Sequence, residues 1–164
     1  ITDHTDHLTI LDLGTGSGCL LLSLLSELPN AKGTGIDISP SACKIAKKNA
    51  KQLELDNRAE FYQGNWMENI HNQFDIIVSN PPYVDENDDR LLEDGVSFEP
   101  IQALVAGERG LMDIRHIIKN SKEYLRDNGS LLVEHAPEQS NDVIDLFVEL
   151  ISLYHRLFVI HICQ

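Results

Sequence analysis

The sequence predicts an α/β fold, a doubly wound and mostly parallel sheet with helices on both faces, and three observations predict it. Short apolar runs alternate with helical patterns along the chain, a glycine-rich turn (Gly14-Thr15-Gly16-Ser17-Gly18) follows the first run, and an acid, Asp37, ends the second. Strands and helices in alternation give a parallel sheet that is covered on both sides. The 164 residues are enough for one domain with its own core, spanning 1–164.

Each element has a local reason. Residues 8–13 are a short apolar run ending at glycine, a buried first strand. From 19 to 28 the apolar residues are almost continuous, a helix buried against the sheet that Pro29-Asn30 stops. Residues 32–37 are the second strand, and Ser39-Pro40 then sets a capping hydroxyl ahead of a proline at the first helical position. Behind that pair, Ala42, Ile45, Ala46, Ala50 and Leu53 trace one apolar stripe of a helix. Residues 58–63 read as a weaker third strand. Residues 74–79 (Phe-Asp-Ile-Ile-Val-Ser) are the clearest strand, β-branched and bounded by Asn80-Pro81-Pro82.

The acidic stretch 84–100 has no periodicity, and a loop of that length in a small domain is usually functional or mobile. A helix is expected over 111–126 with Ile114, Ile117, Ile118 and Leu125 on one face, ended by Asn128-Gly129. A fifth strand at 130–135, a helix at 142–150 and a last strand at 155–163 complete the chain.

Composition narrows the function. Thirteen basic against 26 acidic residues give a net charge of -13, which repels a phosphate backbone, so no direct nucleic-acid partner is expected. Lys44, Lys47, Lys48 and Lys51 sit at helical spacing and read as a solvated face. No run of 18 apolar residues is present, and the start Ile-Thr-Asp-His has no secretory pattern, so neither a membrane nor export is expected. Cys19, Cys43 and Cys163 are odd in number and far apart; they read as small buried hydrophobes in a reducing cytoplasm. His4 and His7 lack partners at metal-binding spacing and read as surface residues, and no metal is expected.

The glycine turn lets the backbone bend sharply and lets a ligand lie against main-chain amides. Its spacing is G-x-G-x-G rather than G-x-G-x-x-G, with Cys19 in the place of the third glycine, which disfavours a dinucleotide oxidoreductase. Two roles are open for Asp37: its oxygens suit the vicinal hydroxyls of a ribose, and its charge suits the helix beginning at Pro40. Trp66, the only tryptophan, follows strand three at the same rim. It has the breadth to flank an adenine and equally the character of a packed aromatic.

Asn80-Pro81-Pro82-Tyr83 lies at the carboxyl end of the fourth strand, where open α/β sheets bind ligands. The prolines hold Asn80 and Pro81 extended, so the Asn80 side chain and the Pro81 carbonyl offer two acceptors to the two hydrogens of an amide or amine nitrogen. Tyr83 adds a flat face for stacking. Glu134 and His135 end a strand near the same rim and receive no catalytic role.

At these residues the chain resembles the amino-methyltransferase branch of the Rossmann-like class I S-adenosylmethionine enzymes, and more narrowly the release factor glutamine N5-methyltransferase family. The resemblance rests on residues 12–18 (Asp-Leu-Gly-Thr-Gly-Ser-Gly), 78–84 (Val-Ser-Asn-Pro-Pro-Tyr-Val), Phe98-Glu99-Pro100 with Ala103-Leu104, and 131–135 (Leu-Leu-Val-Glu-His). It implies that Gly14, Thr15, Gly16, Ser17, Gly18 and Asp37 hold S-adenosylmethionine, that Trp66 lies near its adenine, and that Asn80 touches both cofactor and substrate. It further implies that Asn80, Pro81, Pro82 and Tyr83 receive the glutamine of a peptide chain release factor in the cytoplasm. An amide nitrogen is a poor nucleophile, and two acceptors on its hydrogens aim it at the sulfonium methyl and stabilise positive charge growing on nitrogen.

The chain departs from the family pattern at both ends. The family's helical N-terminal recognition domain and the segment before its first strand have no counterpart in these residues, and one closing strand is visible where the family has two. Asn65 stands where family members usually carry aspartate. Weaker cofactor affinity and incomplete partner recognition are the expected consequences. The alternatives are an N-methyltransferase acting on adenine or guanine in nucleic acid, and a cofactor-binding remnant without turnover.

Overall fold

The computed structural model describes residues 7–82, 84–85, 105–106, 110–150 and 156–160. In chain order the elements are β1 (Thr9–Leu13), α1 (Cys19–Glu27), β2 (Lys32–Asp37), α2 (Pro40–Gln52), β3 (Ala59–Gln63), β4 (Phe74–Ser79), β5 (Val84–Asp85), β6 (Val105–Ala106), α3 (Met112–Ser121), β7 (Leu125–Glu134), α4 (Ser140–Leu150) and β8 (Arg156–Ile160). A 3-10 turn, Pro137–Gln139, leads into α4. Six strands pair in the order β3-β2-β1-β4-β7-β8, all parallel, and β5 pairs with β6 in a separate ladder. The order turns back between β1 and β4, which makes their carboxyl ends the switch point of the sheet.

Alternate strand positions serve opposite faces. Ile10 and Val78 point to the side where Leu21, Leu22 and Leu25 of α1 pack with Ala46 and Ala50 of α2. Leu11, Leu13, Ile77 and Val133 point to the other, against Ile114, Ile117 and Ile118 of α3 and Val143 and Leu146 of α4. The expected doubly wound sheet with helices on both faces is therefore the fold that forms.

Three local expectations fail. The buried face of α2 is Cys43, Ala46 and Ala50, whereas Ile45 and Leu53 are 50% and 56% exposed. Small side chains win that face because α2 comes close to the glycine turn: a Cβ on Gly18 would stand 3.1 Å from the Ala46 Cβ. The second failure is Leu125, which opens β7 rather than ending a helix, since α3 stops at Ser121. Leu125 pairs with Phe74, and the Phe74 N–H donates to the Tyr124 carbonyl at 2.8 Å, so a long-range ladder overrides the local helical pattern. Asn128-Gly129 then belongs to an irregular stretch within β7, with Asn128 at φ 63°. Cys19 is also exposed, against the expectation of burial, because α1 starts at the open rim.

The amino ends of the strands are fastened by charge. Asp75 accepts from the Thr9 N–H (2.8 Å), the Thr9 hydroxyl (2.7 Å) and Arg126 (2.8 Å), joining β1, β4 and β7. Arg58 donates to the carbonyls of Leu25, Leu28 and Ala31 at 2.8–3.0 Å, closing the free end of α1.

Candidate functional site

At the switch point the glycine turn leaves β1 and enters α1. The N–H groups of Gly14 and Thr15 both donate to the Ile36 carbonyl at 2.9 Å, and Gly18 donates to Thr15 at 2.8 Å. Gly14, Gly16 and Gly18 have φ of 71°, 56° and 80°, a region that strains residues with a Cβ. Gly18 is further constrained by the Phe61 ring, 3.2 Å from where its Cβ would sit. Gly16 differs: nothing lies within 4 Å of that position, so this side of the turn is open.

Asp37 fastens the turn from the end of β2. One carboxylate oxygen accepts the Gly16 N–H at 2.8 Å and the other the Ser39 N–H at 2.8 Å. The helix-terminal role and a ligand role are thus compatible, because each oxygen keeps lone-pair capacity after one bond. Ser39 caps α2 as expected, its hydroxyl accepting from Ala42 at 3.3 Å, and Asn49 of α2 donates to the Ser17 carbonyl at 2.9 Å.

Beneath the turn lies Asp12, 1% exposed. Its carboxylate accepts the Thr15 hydroxyl at 2.7 Å and the Leu21 N–H, supplying the cap that Gly18 cannot give to α1. Burial raises its pKa from 3.8 to about 6, against those two hydrogen bonds and with added repulsion from Asp37. The folded state therefore holds this proton more tightly than the unfolded chain does. Stability from this group is full below pH ~4 and is lost as pH rises to about 6, a cost of roughly 3 kcal/mol above that window. Asp12→Asn keeps both hydrogen bonds and removes the charge. Its stability relative to the parent chain, measured by urea unfolding, is expected to rise by about 2–3 kcal/mol between pH 4 and pH 7. A difference that stays constant over that range contradicts the assignment.

Trp66 and Asn80 close the opposite side of the turn. A Cβ on Gly14 would stand 3.6 Å from the Trp66 ring and 3.9 Å from the Asn80 carbonyl oxygen, so elements ending β1, β3 and β4 meet at one point. Trp66 is half-buried on the α3–α4 core with φ 52°, a conformation a bulky residue adopts only when its surroundings enforce it. Ser79, paired with Leu13, donates its hydroxyl to the Leu13 carbonyl at 2.8 Å and fixes the backbone ahead of Asn80. Asn80 is exposed, Pro81 buried and Pro82 half-buried. Tyr83, the segments around Phe98 and Ala103, and His4 lie outside the described residues. His135 is buried with Nδ1 2.7 Å from the Ala136 carbonyl oxygen, and the Ala136 N–H donates to Gln139.

Two rim residues escape a reading of the sequence alone. Ile38 is 70% exposed immediately after Asp37; its signal is an aliphatic residue set between a strand-ending acid and a capping serine. Asn49 binds the turn from α2, on the face it shares by helical spacing with Ile45 and Ala46 and away from the lysines. A groove of about 800 Å3 opens elsewhere, at the amino ends of the strands near Thr9, Lys32 and Arg126, away from the ends where such sheets bind ligands. Among the described residues no group of three or more His, Cys, Asp or Glu side chains is placed to hold a metal, and no helix is long and apolar enough to cross a membrane.

Comparison with known proteins identifies the family. A family model described as a methyltransferase domain matches residues 4–156. The chain is 46% identical over 151 residues to a release factor glutamine methyltransferase of Aliivibrio fischeri, covering 88% of this chain and 53% of that protein. A release factor glutamine methyltransferase of Vibrio cholerae is 49% identical over 132 residues, covering 79% of this chain and 46% of that protein. The chain thus spans about half the length of the curated relatives it matches. A methyltransferase structure from Pyrococcus furiosus aligns with a TM-score of 0.65 over 88% of this chain and 64% of that one, at 16% identity, which shows the shared fold.

Proposed function

Because the chain belongs to the methyltransferase-domain family, we propose that it transfers a methyl group from S-adenosylmethionine to the side-chain amide nitrogen of a glutamine in a peptide chain release factor. The observation that carries this reading is the meeting of Gly14, Trp66 and Asn80 at the switch point of the sheet. The residues fit the cofactor: the open side of Gly16 leaves main-chain surface bare, and the Asp37 oxygens keep capacity for two more donors. When bound, S-adenosylmethionine supplies an electrophilic methyl on a sulfonium.

Asp37 accepts from the vicinal ribose hydroxyls, while Trp66 and the exposed Ile38 give apolar surface to the base. Gly14, Thr15, Gly16, Ser17 and Gly18 let the ligand approach the backbone. The Asn80 side-chain oxygen and the Pro81 carbonyl accept the two amide hydrogens of the glutamine, with Pro82 keeping the bend rigid and Tyr83 stacking on the planar amide. The nitrogen would take the methyl as the carbon–sulfur bond of the sulfonium breaks and a thioether leaves, and would then release its proton to water, so no tuned base is required. The release factor is met in the cytoplasm, without direct engagement of nucleic acid or membrane.

The test is an acceptor screen with methyl-labelled cofactor, in which release factor protein, DNA and RNA are offered to the chain side by side. Label in the release factor is the expected result. Label confined to nucleic acid would overturn the reading.

A further inference from the structure

The charge on Asp12 does nothing for the fold that an amide of the same shape would not do. Its two donors, the Thr15 hydroxyl and the Leu21 N–H, are equally served by an asparagine, whose NH2 group donates to the rotatable hydroxyl. Its neighbours across the sheet are Gly35 on β2 and Val78 on β4. The one charged group acting on it is Asp37, of the same sign, and no lysine, arginine or histidine balances it among the described residues. A buried carboxylate without a cation is costly to keep, so its charge invites a functional account. Thr15, which holds it, belongs to the turn that the proposed function gives to the cofactor.

We propose that Asp12 determines specificity between the two forms of the cofactor: its charge beneath the glycine turn favours the cationic methyl donor over the demethylated product, S-adenosylhomocysteine. This rests on the cofactor assignment made above. Loss of the methyl turns a sulfonium into a thioether and lowers the ligand's charge by one, while ribose, base and amino-acid contacts stay the same. Those shared contacts cancel in the ratio of the two affinities. A fixed charge in a water-poor site does not cancel, because it acts on the sulfonium alone and is weakly screened. The consequence is faster escape of spent cofactor.

Isothermal titration of S-adenosylmethionine and of S-adenosylhomocysteine into the chain, at pH 7.5 and pH 5, tests this. The ratio of affinities, donor over product, is expected to fall about tenfold from pH 7.5 to pH 5 as Asp12 takes up its proton. In Asp12→Asn the ratio is expected to be about tenfold lower at pH 7.5 and to change little with pH. A ratio indifferent to both pH and substitution, with both ligands still binding, overturns the inference and leaves the cofactor assignment standing. Failure of the parent chain to bind either ligand overturns both. Should Asp12→Asn fail to fold by circular dichroism, the pH series on the parent chain decides alone, a flat ratio counting against the inference and a falling one for it.

Discussion

Asn80→Ala is expected to lower the rate of methyl transfer by about 10^2- to 10^3-fold, with a much smaller loss of cofactor affinity. The asymmetry follows from where the residue sits. Asn80 is exposed at the end of β4, so truncating it leaves no cavity, and the bond from Ser79 to Leu13 keeps the backbone in place. On the function proposed above, what is lost is one of two acceptors that position the glutamine nitrogen, a contact that strengthens as that nitrogen becomes positive. Single-turnover kinetics beside equilibrium binding of the cofactor separates these effects. An unchanged rate removes Asn80 from the chemistry, and an equal fall in both quantities makes it a binding residue only.

Asp37→Ala is expected to act on the other side of the site, weakening cofactor binding by about 100-fold. Its two oxygens fasten Gly16 and Ser39, so the substitution removes the proposed ribose acceptors and loosens the turn and the start of α2 together. Equilibrium dialysis gives the affinity, and amide hydrogen exchange at Gly16 and Ser39 reads the loosening, expected to speed up in the variant. An affinity within twofold of the parent chain contradicts a ribose role for Asp37.

What could be read from the sequence follows from how local the causes are. β4 is evident because Ile76, Ile77 and Val78 favour a strand and Pro81 ends it, all within eight residues. The glycine turn and Asp37 are evident because each closes a strand, and their hydrogen bond at 2.8 Å is the usual outcome of two neighbouring parallel strands. The buried face of α2 is misread because Cys43, Ala46 and Ala50 carry a weaker apolar signal than Ile45, although only small residues let the helix lie that close. Leu125 is misread because its partner, Phe74, is far away in sequence. The burial of the Asp12 carboxylate is missed for a different reason: it is only three residues from Thr15, yet they meet only because the turn folds back over the strand.

The most direct measurement is tandem mass spectrometry of a release factor incubated with the chain and S-adenosylmethionine carrying a deuterated methyl group. The mass of one labelled methyl should appear on a glutamine side chain, with fragment ions placing it on the amide nitrogen. A methyl on any other side chain, or a release factor that stays unmodified while the cofactor is demonstrably bound, would contradict an amide-directed site at Asn80.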